Sequence, residues 1–107
     1  MVLCDMTYDQ LLELCDDSNV VPESSSLPSD PLLLALWHDR RGHWDIAHEI
    51  AQSVVSEQGS ALHAYLHREE GDESNALYWY RRARRTMPTG SIEDEWAALS
   101  REFCSET

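Results

Sequence analysis

Apolar residues recur every three or four positions along most of this chain, and the pattern is broken at a few places by glycine, proline and serine. Leu11, Leu12 and Cys15 carry that spacing through residues 8–16 and predict a short helix capped by Thr7. Residues 17–30, DSNVVPESSSLPSD, carry two prolines and five serines and predict a loop. Ser29, Asp30 and Pro31 then combine a cap, an acid and a first-turn proline, the start of a helix that runs through LLLALW and stops at Gly42. A second helix is predicted from Asp45 to about Glu57, with Ile46, Ile50 and Val54 on one side and Ala47 and Ala51 beside them; Gly59 breaks it. A third opens near Ser60 and reaches Gly71. Asp72 caps a fourth, which continues to about Thr86 and ends at MPTG. Ser91 opens a fifth, in which Ile92, Trp96, Leu99 and Phe103 share a face and acids fill the first turn. No segment alternates as a strand does. The expectation is one all-α domain over 1–107: an N-terminal helix in 1–16, a loop at 17–29, two helical hairpins in 30–88 and a C-terminal helix in 91–105. Short turns make the central helices antiparallel neighbours.

Shifting the chain by 29 residues lays ALWHDRRGHWDIAHEIAQSV over AYLHREEGDESNALYWYRRA. Identities fall at Ala35/Ala64, His38/His67, Gly42/Gly71 and Ala47/Ala76. Each glycine marks a corner that needs a left-handed residue, and each alanine marks a close helix crossing. On these positions the second copy resembles a tetratricopeptide repeat: Gly71, Ala76, Tyr80, Ala83 and Pro88 stand at that family's glycine, alanine, aromatic, alanine and proline. Ser60, His63 and His67 replace its tryptophan, leucine and tyrosine, and the step of 29 is shorter than the usual ~34 residues. The chain also resembles an uncharacterised group of small, mainly microbial proteins at HDRRGHWDxAH and HAYLHRxEGD. The resemblance implies stacked hairpins whose hydrophobic ends are covered by the flanking helices; it implies no reaction.

Charge sharpens this picture. The chain has 20 acids against 8 bases, a net of −12, and every base is arginine. Residues 1–30 hold seven acids and no base, and residues 91–107 five acids and one arginine; residues 31–90 are nearly balanced, with eight acids and seven arginines. Such a field repels phosphate backbones, so nucleic acid is not an expected partner. No stretch has the ~20 apolar residues of a membrane span. Cys4, Cys15 and Cys104 show no CxxC spacing, and the first ten residues show no secretory pattern, so reduced thiols and a cytoplasmic location are expected.

The chemistry-bearing residues admit two readings. His63 and His67 lie four apart on one helix face, and His38 is the repeat equivalent of His67. His38, His63 and His67 are therefore a candidate metal set. Against it, HAYLH lacks the glutamate of HExxH, and equivalent positions also suit packing. His43 and His48 read as solvent-facing or capping. Arg40 and Arg41 align with Glu69 and Glu70, which predicts charge pairing between the copies. RRARR at 81–85 is the one dense basic patch, open to an acidic partner or to the chain's own acidic N-terminal segment. Tyr80, Trp79, Trp37, Trp44 and Trp96 are assigned to the core, and Tyr78 to the surface. No nucleophile motif, P-loop or dinucleotide fingerprint appears. The leading expectation is a non-enzymatic protein- or peptide-binding or scaffold module without a cofactor. It would meet a partner, or a second copy of the chain, through His38, Tyr65, His67, Arg68, Tyr78 and Arg82. The alternative is a small metal- or ligand-binding enzyme built on the histidines.

Overall fold

The computed structural model describes residues 6–17, 19–21 and 27–104. Cys4, the start of the N-terminal segment, residues 18 and 22–26 of the serine-rich loop, and residue 105 lie outside the described residues. All regular structure among the described residues is helical: α1 (Tyr8–Asp16), α2 (Pro31–Arg40), α3 (Trp44–Ser53), α4 (Glu57–Glu69), α5 (Glu73–Arg82) and α6 (Ile92–Phe103).

Side-chain oxygens start most of these helices by accepting from otherwise orphaned first-turn amides. Thr7 and Gln10 cap each other's backbone amides at α1, as do Ser91 and Asp94 at α6. Asp30 accepts from the Leu32 amide at 2.8 Å, with Pro31 as the first residue of α2. Asp72 caps α5 through the Asn75 amide.

Three corners end alike. The amides of His43, Asp72 and Arg85 donate back to the carbonyls of His38, His67 and Tyr80, at 2.8, 2.9 and 2.9 Å. Each bond spans a left-handed residue: Gly42 (φ 85°), Gly71 (φ 91°) and Arg84 (φ 61°). The shared His38 and His67 positions thus each supply the carbonyl that closes a helix.

Two boundaries differ from expectation. The helix predicted through Thr86 stops at Arg82, because Arg84 takes the left-handed turn despite a cost of roughly 1–2 kcal/mol for a residue with a Cβ. The helix predicted through Glu57 stops at Ser53. Ser56 caps α4 by accepting from the Gly59 amide at 3.0 Å, so Gly59 lies inside α4 instead of breaking α3. A Cβ at Gly59 would stand 2.0 Å from the Val54 carbonyl oxygen, so close approach is what requires glycine there.

Sequential helices pack as neighbours: α2 on α3, α3 on α4, and α4 on α5. Ala35, Ala47, Ala51, Ala61, Ala64, Ala76 and Ala83 are all buried, which lets these helices approach closely. In α3 this alanine stripe faces inward while Ile46 remains exposed. α6 lies across α2 and α4, and α1 sits against α2 and α6.

Indoles fasten these contacts. The Nε1–H of Trp37 donates to the Leu14 carbonyl of α1, that of Trp44 to Leu66 of α4, and that of Trp96 to Leu36 of α2. Each large apolar ring is buried or half-buried with its one donor satisfied.

Candidate functional site

The six expected contact residues divide sharply. His38, Tyr65 and His67 are buried, and the Arg68 side chain is only 14% exposed. The Tyr65 hydroxyl donates to Asp39 at 3.0 Å. Arg68 donates to Glu95 of α6 at 2.7 Å and to the Gly90 carbonyl. Glu95, itself buried, also accepts from the Tyr80 hydroxyl at 2.6 Å. The helix α6 thus occupies the surface on which a partner was expected to meet Arg68, while Tyr65 is turned inward to Asp39 of α2.

The predicted charge ladder is also replaced. Arg40 pairs with Glu93 at 2.5 Å and lies over the Trp96 ring, while Arg41 donates to the Asp17 carbonyl. Glu69 instead meets the Asp39 carboxyl; desolvation first, then that hydrogen bond, raises its pKa above the usual carboxylate range. Within RRARR, Arg85 makes a two-pronged pair with Glu102 of α6, and Arg84 stands 3.4 Å from Glu57.

Tyr78 and Arg82 remain at the surface on α5, as expected for contact residues. Arg82 lies over the rings of Trp79 and Tyr78, at 5.4 and 5.8 Å. Among the described residues no carboxylate pairs with it. Beside it opens a cleft of about 110 Å³ between the end of α3 and the helices α4 and α5, walled by Val54, Val55, Gly59, His63, Trp79 and Arg82. Val55 is 95% exposed and Tyr78 49%. Small-molecule sites typically measure ~300–1,000 Å³, so this cleft takes one side chain rather than a cofactor.

The histidines sort into two groups, and neither is the predicted one. His38 pairs with His43: their Nδ1 atoms lie 3.1 Å apart, so one ring donates and the other accepts. Burial, then His43, lowers the His38 pKa. His63 and His67 are joined by His48 of α3 instead of His38, and one ring nitrogen from each of the three lies within 4.8 Å of the others. His48 thus belongs to a cluster and not to the solvent or a cap. Burial, reinforced by neighbouring imidazoles, lowers His48 and brings His63 down to about 4, so both rings are neutral at pH 7. His67 Nδ1 bonds Glu70 Oε2 at 2.8 Å.

Repeat equivalence missed His48 because its counterpart one repeat later is Leu77. The available signal was local: Trp44 and His48 are four apart on α3, as His63 and His67 are on α4, and the two helices are neighbours. Cys15 is buried, with its thiol pushed up to about 11 by desolvation, and Cys104 is buried in the same core; neither lines the cleft. No helix of the described residues is long and apolar enough to cross a membrane. No protein-family model, curated protein or solved structure matches the chain.

Proposed function

We propose that the protein is a cytoplasmic, non-enzymatic, tetratricopeptide-like binding module that takes a short peptide of a partner protein on the outer face of α5. The observation that carries this reading is Arg82. In a chain of net −12, its exposed guanidinium has no acid partner among the described residues, yet it borders a cleft sized for one apolar side chain. Tyr78 and Trp79 hold its planar head ready, and Val55 supplies exposed apolar surface at the mouth. Guanidinium beside an apolar slot suits an acidic residue next to a leucine or phenylalanine. Peptide arrays probed with the full chain test this. The expected binders carry that pair, and Arg82→Glu and Tyr78→Ala each weaken them about tenfold, or ~1.4 kcal/mol. Binders indifferent to both substitutions, or a dimer in light scattering that buries this face, would overturn it.

A further inference from the structure

We propose that His48, His63 and His67 form a binding site for a divalent late transition metal, with Zn²⁺ as the ion it fits. The site would tie α3 of the first hairpin to α4 of the second.

Three features favour metal ligation over aromatic packing alone. The first is convergence. The ring centroids of His48, His63 and His67 lie 4.6, 4.9 and 5.1 Å apart pairwise, and one nitrogen of each falls in the common 4.8 Å group. Zn–N bonds of ~2.0–2.1 Å in a tetrahedral site place two imidazole nitrogens about 3.4 Å apart, so small ring movements close the site. The second is available ligating capacity: neither His63 nor His48 makes a hydrogen bond to another described residue, and no side-chain nitrogen among the described residues is sealed away without a partner, so their unbonded ring nitrogens stay reachable. An imidazole nitrogen that no other protein group occupies is the lone pair a metal takes.

The third is the support around the ligands. Glu70 accepts from His67 Nδ1, which leaves Nε2 as the lone-pair nitrogen, as a carboxylate behind a ligating histidine does. Trp44 stacks on His48 at 4.9 Å and Trp79 on His63 at 3.9 Å, so each ring is held on one side. The Trp44 indole is itself anchored to the Leu66 carbonyl. An all-imidazole set favours zinc, copper, nickel or cobalt over magnesium or calcium. Because Glu70 is engaged with His67, it is a support for the site and no general base is assigned. His63 also walls the cleft of the peptide reading, but the two proposals are tested apart: Tyr78 and Arg82 lie outside the ligand set, and His48 does not line the cleft.

The experiment uses untagged full-length protein stripped with chelator. Co²⁺ serves as the absorbing probe, and Zn²⁺ is titrated calorimetrically. The expected result is one equivalent of tight Zn²⁺ that displaces Co²⁺ and raises Tm with increasing concentration. His48→Phe keeps the stack on Trp44 and removes one ligand; it should weaken Zn²⁺ at least a hundredfold while the circular dichroism is unchanged. Glu70→Gln should weaken it about ten- to a hundredfold. His43→Asn, in the other histidine pair, should leave it unchanged. Absence of Zn²⁺ binding below ~100 µM would overturn the proposal. So would binding that survives His48→Phe but is lost in Asp72→Asn, which would assign the ion to the exposed corner group of His67, Glu70 and Asp72.

Discussion

At the scale of single residues, His38 shows how one position serves backbone and side chain at once. Its carbonyl closes α2 and its ring is buried against Trp37 and paired with His43. Because its pKa lies below the usual 6.5, the unfolded chain takes up this proton first as the pH falls. The stability associated with neutral His38 is therefore full above about pH 6.5 and is lost as pH drops toward the lowered folded value. Denaturation midpoints at pH 7.5 and 5.5 should fall less between the two conditions in His38→Gln than in the parent chain. Equal falls would place His38 outside the acid response. The glycines of the corners were legible in the sequence because few other residues adopt a left-handed turn. Arg84 was not, since arginine favours helix and nothing local announces its positive φ. His48 escaped for a different reason: its partners lie on the neighbouring helix, and a shift along the sequence compares equivalent positions, not touching ones.

At the scale of elements, the joint between α3 and α4 sets two rules against each other. Gly59 sits in the first turn of α4, where alanine has a helix propensity better by about 1 kcal/mol. A methyl there would meet the Val54 carbonyl at 2.0 Å, and a backbone carbonyl has no rotamer with which to yield. The clash should win. Gly59→Ala is expected to destabilise the protein by about 1–3 kcal/mol, the range for overpacking a tight site. Urea unfolding followed by tryptophan fluorescence would measure it; a stabilised variant would show that the joint relaxes freely. The sequence misled here because glycine was read as a helix breaker, whereas its role depends on what approaches it in space. The caps Thr7, Asp72 and Ser91 were readable because each acts within three residues of itself.

At the scale of the whole molecule, the uneven charge is a pattern of internal complementarity. The acidic C-terminal helix sends Glu93, Glu95 and Glu102 to Arg40, Arg68 and Arg85, three arginines of the nearly balanced middle. Arginine suits these places better than lysine. Arg85 pairs with two prongs, Arg68 bonds both a carboxylate and a carbonyl, and Arg40 stacks on Trp96 while pairing with Glu93. The sequence disclosed the acidic ends but not their direction, because pairing across 17 to 53 residues depends on where α6 lies. These pairs are unequal. Arg40–Glu93 and Arg85–Glu102 are partly exposed and contribute roughly 0–1 kcal/mol each. Glu95 is buried between Arg68 and Tyr80, so removing it leaves a largely buried guanidinium with only the Gly90 carbonyl and a buried phenol without its acceptor. Glu95→Ala should cost about 3–5 kcal/mol, against less than about 1 for Glu93→Ala or Glu102→Ala. Against a typical total stability of ~5–15 kcal/mol, the first change leaves a marginal fold and the others do not. Replacing Arg68, Tyr80 and Glu95 together by Met, Phe and Leu should recover most of the loss, since the cost is that of unpaired partners. Three single substitutions of equal effect would instead mean that α6 is held by its apolar face, through Trp96, Leu99 and Phe103, and that its acids only decorate the contact.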